Sequence, residues 1–384
     1  MSILSQSLNQ SAFGELMCAE MSELIQLQFS YNLSPELTLA SVIGTGTVIS
    51  FPPFALLSSP ASASAAATFQ SSKSLHYKSG QGASALFASL FTSGVAGSNQ
   101  YIGVGDLLNG LFFGWNGSTF GILYRNSGVD TWIYQAYWNQ DPFNGTGTSN
   151  VVLDSTKGNI YKIQYQGLGF GNVNFFIASE NTGLFVLAHQ IQYTNTMTST
   201  LLGNFVLPLF ARAESLGSSS LVQMQISAMA AAIEGIIITD NIRYAALGSL
   251  GVAALSTTLV LSIRNNVTYN GLTNPKSLLP NFVSASNQGS SNATLTYMLN
   301  PSVSASFFPV DTSTGTSVAS FAVGGSVVSP GQTVLTQYIG SNSSSNTFID
   351  FLNFNLNPGD ILSVTALSGS SATVSVSFSW VEQF

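Results

Sequence analysis

YIGVGDLLNGLFFGWNGSTFGILYRNSGVDTWIYQAYWNQDPFNGTGTSNVVLDSTKGNIYKIQYQGLGFGNVNFFIASENTGLFVLAHQIQY, residues 101–193, decides the fold class. Short apolar and aromatic runs are cut at regular intervals by Gly, Asn, Asp and Ser. GLFFGW, FGILYR, DTWIYQAYW, NIYKIQYQ, NVNFFIAS and GLFVLAHQIQY each have strand length. Turns fall at Asn116-Gly117, Asn126 to Asp130, Asn144 to Thr148, Lys157-Gly158 and Asn181 to Gly183. This grammar of β-branched and aromatic runs between turn residues predicts antiparallel strands. Asn-Gly pairs supply the positive φ that tight hairpins need.

Working outward, strands continue on both sides. LIQLQFSY, from Leu24, alternates Ile25, Leu27 and Phe29 against Gln26, Gln28 and Ser30, the period of a half-buried strand. Residues 1–23 read as a separate N-terminal segment with a small acidic cluster. Ser58 to Ala67 is low in complexity and predicts a mobile loop. The Ala-rich run Ser227 to Ala232 suits either a strand or a short helix. Asn270 to Pro280, with two prolines and two asparagines, predicts the domain boundary. Beyond it, strand patterns recur every 8–12 residues and end in TVSVSFSWVEQF. The expectation is an all-β chain: a large β-sandwich over 24–270, whose strand order resembles a concanavalin-like jelly roll, then a smaller β-sandwich over 281–384.

Composition narrows function. Charged residues make up 7% of 384 residues and aromatics 11%, whereas an ordinary soluble domain has roughly 25% charged residues. Nine Lys and Arg are scattered without a basic patch, which speaks against nucleic-acid binding. One cysteine, Cys18, rules out a disulfide framework within the chain. No apolar run is long enough for a membrane-spanning helix, and the start lacks the pattern of a signal peptide. Low charge leaves little repulsion between copies, so homo-oligomers such as a trimer are expected.

Chemistry is sparse. His189 and His76 are the two histidines, and no G-x-S-x-G elbow surrounds a serine. Strand alternation sets His189 on one face with Phe185, Leu187, Ile191 and Tyr193, where a structural role is expected. Asp106, Asp130, Asp141, Asp154 and Glu180 all fall at turns, where Asp is ordinary, so no catalytic carboxylate pair stands out. Asp141 to Gly147 could offer oxygen ligands to calcium, but it lacks the spacing of a calcium loop. No metal site, no cofactor and no enzymatic activity are expected. Trp115, Trp132, Tyr134 and Trp138 are the candidate glycan-binding residues, because aromatic faces stack on sugars. The same rings would equally serve a sandwich core.

NGLFFGWNGSTFGIL, KGNIYKIQYQGLGFG and GLFVLAHQIQY resemble a family of uncharacterised virion proteins of giant DNA viruses and phage tails. The resemblance covers about Ser72 to Glu234. LNPGDILSVTALS and the terminal SFSWVEQF resemble the small β-sandwiches that close viral fibre and capsid-associated proteins. The resemblance implies a non-enzymatic structural protein of a virion, assembled in the host cytoplasm, with itself and other virion proteins as partners. A lectin-like attachment protein binding host surface glycans is the alternative.

Overall fold

The computed structural model describes residues 21–77, 79–235, 242–274, 276–311, 316–348 and 354–383. Cys18 and most of the expected N-terminal segment lie outside the described residues, although Met21 to Glu23 already belong to the first strand. The chain forms two compact units, Met1–Ile237 and Ile238–Phe384.

The first unit contains β1 (Met21–Gln28), β2 (Thr38–Ile43), β3 (Thr47–Phe51), β4 (Phe54–Ser59), β5 (Ala65–Leu75), β6 (Ala83–Phe91), β7 (Ser98–Gly105), β8 (Gly110–Asn116), β9 (Thr119–Asn126), β10 (Val129–Tyr134), β11 (Asn159–Tyr165), β12 (Val173–Ala178), β13 (Phe185–Ile191), β14 (Leu207–Ser215) and β15 (Val222–Glu234). A seven-stranded antiparallel sheet runs β10-β9-β8-β7-β14-β5-β2. An eight-stranded sheet runs β13-β12-β11-β6-β15-β4-β3, with β1 also paired to β15. The inner faces of the two sheets meet in one apolar core. Phe113 of the first sheet packs 4.9 Å from Tyr161 and 5.4 Å from Phe175 of the second. Phe91 and Phe120 meet edge to face at 5.7 Å. This is the sandwich that the alternating strands predicted.

One local expectation fails here, and one open reading is decided. Ala65, Ala66 and Ala67 are buried at the start of β5, not in a loop. Small side chains suit that place because β5 is flanked by β2 and β14 and β4 also packs close to it. The Ala-rich run is the middle of the thirteen-residue strand β15. It pairs with β1 and β6 on its two sides, so tertiary pairing overrides the helix preference of alanine.

The second unit contains β16 (Ile242–Val252), β17 (Thr258–Asn265), β18 (Thr268–Tyr269), β19 (Leu272–Thr273), β20 (Ser277–Asn287), β21 (Ala293–Leu299), β22 (Ser302–Ser304), β23 (Phe308–Pro309), β24 (Ala319–Val323), β25 (Ser326–Ser329), β26 (Gln332–Ile339), β27 (Ser343–Phe348), β28 (Ile361–Ser368) and β29 (Ala372–Gln383). A four-stranded sheet, β16-β29-β20-β27, packs on a six-stranded one, β23-β24-β17-β28-β21-β26. Two short pairs, β18-β19 and β22-β25, complete it. The division therefore falls near residue 237, ahead of the Asn270 to Pro280 boundary. β16 and β17 look like more of the first sandwich in sequence, yet β16 pairs along its whole length with the C-terminal β29. Within that stretch, Asn270 to Thr273 belong to the β18-β19 hairpin and Ser277 to Pro280 open β20.

Charge is handled strictly inside this second sandwich. Lys276 Nζ lies 3.4 Å from Glu382 Oε2, with both side chains buried. Glu382 also accepts hydrogen bonds from Ser317 Oγ at 2.6 Å and the Val318 N–H at 3.1 Å. The Tyr269 ring lies 5.3 Å from the ammonium. Burial lowers the Lys276 pKa and the Glu382 carboxylate opposes that shift.

Candidate functional site

The outer face of the seven-stranded sheet gathers the most chemistry, and strand register lays it out as four rows. The first reads Asp130, Arg125, Gly110, Gly105 across β10 to β7. The second reads Trp132, Leu123, Phe112, Gly103, Phe210, Gln70, Leu39. The third reads Tyr134, Gly121, Gly114, Tyr101, Arg212, Thr68, Ser41. The fourth reads Thr119, Asn116, Asn99, Glu214, Ala66, Ile43.

Tyr101, Phe112, Leu123 and Phe210 form a buried cluster on this face, distinct from the sandwich core, with Trp132 packed at its side. Glycines make it possible. A Cβ on Gly110 would strike the Phe112 ring, and one on Gly114 would strike the backbone of β7. The rings therefore lie down across glycine positions instead of standing off the sheet. Tyr101 and Phe210 stack with centroids 6.1 Å apart, and Phe112 meets Tyr101 at 5.2 Å.

Two ion pairs sit on this aromatic floor. The Arg125 guanidinium lies 5.1 Å from the Tyr101 ring centre and 5.8 Å from that of Phe112, a cation over aromatic faces. It grips Asp130 with two donors, Nε at 2.5 Å and Nη2 at 2.9 Å. Such a fork is rigid as well as strong. Burial works against the Arg125 charge, and Asp130 and Tyr101 together more than restore it, so the group stays protonated. Burial also pushes the Tyr101 hydroxyl up to about 12, with the nearby Glu214 adding to the effect. Arg212 donates to Glu214 Oε2 and to Thr68 Oγ1, both at 2.7 Å. Asn99 Nδ2 donates to Glu214 Oε1 at 3.0 Å.

Above this floor lie half-buried groups that still meet solvent: Trp132, Tyr134, Asn99 and Asn116. Asn116 Nδ2 donates to the Tyr134 hydroxyl at 3.0 Å, fixing both. The four aromatic residues singled out from the sequence are thus split. Trp132 and Tyr134 share the outer face, in adjacent rows. Trp115 and Trp138 do not join them. Trp115 is on the inner face of β8, edge to face with Phe120 at 5.4 Å. Trp138 follows a single 3-10 turn, Gln135–Tyr137, and is buried in the core against Phe113, Phe120 and Phe143. Its indole N–H donates to the Ile133 carbonyl at 3.2 Å. The turn after β10 directs Trp138 inward, and no alternation pattern predicts that.

Other predicted residues take structural places. Asp106 Oδ1 accepts from the N–H groups of Leu108 and Asn109. Asp154 Oδ1 accepts from the N–H and Oγ1 of Thr156. Asp141 is buried and holds its own loop closed, accepting from Phe143 N at 2.9 Å and Ser149 N at 2.8 Å. Those oxygens are the ones a calcium ion in this loop would need. Among the described residues, no group of three or more His, Cys, Asp or Glu side chains could hold a metal ion. The two acids of the outer face, Asp130 and Glu214, stand four strands apart, roughly 19 Å at the usual ~4.8 Å spacing. Glycosidase carboxyl pairs lie about 5–10 Å apart.

His189 is buried near Phe175 and accepts a hydrogen bond at Nδ1 from the Asn139 N–H at 3.2 Å. Desolvation lowers its pKa to about 4. A register shift between Phe175 and Phe176 breaks the alternation of β13. Ala188 and His189 are consequently both buried, while Phe185 turns outward to the Lys162 ammonium, 5.7 Å away. The single face expected for Phe185, Leu187 and His189 is therefore broken by a bulge.

Little in the sequence points to Arg125, Arg212, Glu214 and Asn99. One signal was available: alternation vanishes in GLFFGW, where Leu111, Phe112 and Phe113 are all buried. A strand apolar on both sides must have something covering each face.

No family model matches the chain, and no curated protein matches it. The viral resemblance of Ser72 to Glu234 gains no support from them. Solved structures similar to this chain include the carbohydrate recognition domain of Emp47p, at 9% identity and TM-score 0.35, covering 56% of this chain and 98% of that one. Another comes from work on endo-acting O-glycanases of the human gut microbiota that initiate mucin breakdown, at 9% identity and TM-score 0.37, covering 55% and 98%. A beta-1,3-glucanase from Mycobacterium marinum matches at 14% identity and TM-score 0.33, covering 54% and 98%. All three TM-scores lie below 0.5, so the site is read from its own residues.

Proposed function

We propose that the first unit is a glycan-binding module and that its ligand lies on the outer face of the seven-stranded sheet. The carrying observation is Trp132, half-buried at the edge of a locked aromatic floor, with Tyr134 in the adjacent row. A sugar ring offers an apolar C–H face and a rim of hydroxyls. Trp132 supplies a rigid surface for the former. Tyr134, Asn116, Asn99 and the outer oxygens of Asp130 and Glu214 supply fixed partners for the latter. Their ion pairs and hydrogen bonds already hold these side chains, so little freedom is lost on binding.

The charges on this face are paired, which suits a neutral sugar better than an anionic one. The test is calorimetry or tryptophan fluorescence against a panel of neutral oligosaccharides. Trp132→Ala, in a protein with an unchanged circular-dichroism spectrum, is expected to weaken binding at least tenfold, about 1.4 kcal/mol. Equal affinity in that variant would defeat the proposal. So would the absence of binding by the unaltered protein to every sugar at about 10 mM, a Kd worth less than 3 kcal/mol.

A further inference from the structure

We infer that two copies of this chain associate through the β2-β3 corner of the first unit, at the opposite edge of the seven-stranded sheet from Trp132 and Tyr134. β2 ends the seven-stranded sheet and β3 ends the eight-stranded one. They are consecutive strands, joined across the corner by Gly44, Thr45 and Gly46. Both sheet edges are therefore open on the same side of the sandwich. Among the described residues, no strand pairs with the outer edge of either.

This corner is unusually apolar for a free edge. Leu37, Leu39, Val42, Ile43, Ile49 and Phe51 are each about half exposed. Natural sheets protect an open edge with lysine, proline, a bulge or a covering element. β2 reads TLASVI and carries none of these, and its register with β5 is unbroken. From Leu37 to Ser72 the sequence holds no Asp, Glu, Lys or Arg.

The absence of charge selects the partner. A two-fold interface sets the same patch against itself, so a charged patch would meet like charge near the axis. An uncharged apolar edge meets itself without that repulsion. Its strand can also donate and accept the same ladder of backbone hydrogen bonds that its copy offers. Six half-exposed side chains of this size present roughly 500 Å² per copy, so about 1,000 Å² in a pair, the lower bound of a specific interface. The occupant is a second copy, with β2 continuing one seven-stranded sheet into the other.

Sedimentation equilibrium or light scattering on the full chain tests this. At about 100 µM the unaltered protein is expected to be dimeric, because a micromolar Kd populates the dimer there. Leu39→Lys with Ile43→Lys, both outward-facing and half exposed, should weaken the dimer by at least ~100-fold through facing like charges. The control pair Leu107→Lys and Leu108→Lys alters exposed apolar residues of the β7-β8 turn and should leave the dimer intact. As a check that does not depend on one variant folding well, Val42→Lys and Val42→Glu should each be monomeric and should pair when mixed. A monomer at 100 µM overturns the inference. So does a dimer that survives the edge substitutions, which would place the interface elsewhere.

Discussion

His189→Asn should flatten the acid side of the stability profile of the first unit. In the fold the imidazole is desolvated and its pKa falls to about 4, against an ordinary 6.5. Between those values the unfolded chain takes up a proton that the folded chain refuses. Unfolding is therefore favoured by acid: stability is full above about pH 6.5 and declines as pH falls toward 4. At roughly 1.4 kcal/mol per pH unit, the whole gap is worth about 3 kcal/mol, most of it lost by pH 4.5. Asparagine cannot titrate, yet its side-chain oxygen can stand where Nδ1 accepts the Asn139 N–H. The assay is urea unfolding at pH 7.5, 5.5 and 4.5, followed by tryptophan fluorescence; three of the four tryptophans, Trp115, Trp132 and Trp138, belong to this unit. Carboxylates titrate in both proteins, so the readout is the difference between them. The natural protein should lose about 2–3 kcal/mol more than the variant between pH 7.5 and 4.5. Parallel pH profiles would refute the claim that His189 is held neutral by burial.

Two further outcomes follow from buried charge. Lys276→Met should destabilise the second unit by about 3–5 kcal/mol, because Glu382 is left buried without its cation; a second-unit unfolding free energy within 1 kcal/mol of the unaltered protein would contradict the pairing. Asp141→Ala removes the acceptor of two loop N–H groups and should cost about 2–3 kcal/mol. The expected sign in that loop is faster proteolytic cleavage between Asn144 and Asn150, and unchanged cleavage would argue that the carboxylate does not hold the loop.

The all-β class was legible because period-2 runs and turn residues are local properties. Ile25, Leu27 and Phe29 are buried as their alternation required. The Asn116-Gly117 turn joins β8 to β9, as its chemistry required, with positive φ at Gly117. What failed was decided at long range. β16 resembles its sequence neighbours but pairs with a strand more than a hundred residues away. Ala65 to Ala67 look like loop until β2 and β14 are placed on either side.

The site divides in the same way. The sequence by itself determined that Trp132 and Tyr134 share a strand face, since side chains two apart must point the same way. It also determined that the surface would be poor in charge. Only the tertiary structure decided which face looks outward, because both faces of β8 and β9 are apolar and alternation is silent there. Only strand pairing could bring Arg125, Arg212, Glu214 and Asn99 together on that face. Register across a sheet depends on hydrogen bonds between distant segments, and those bonds have no counterpart in local sequence.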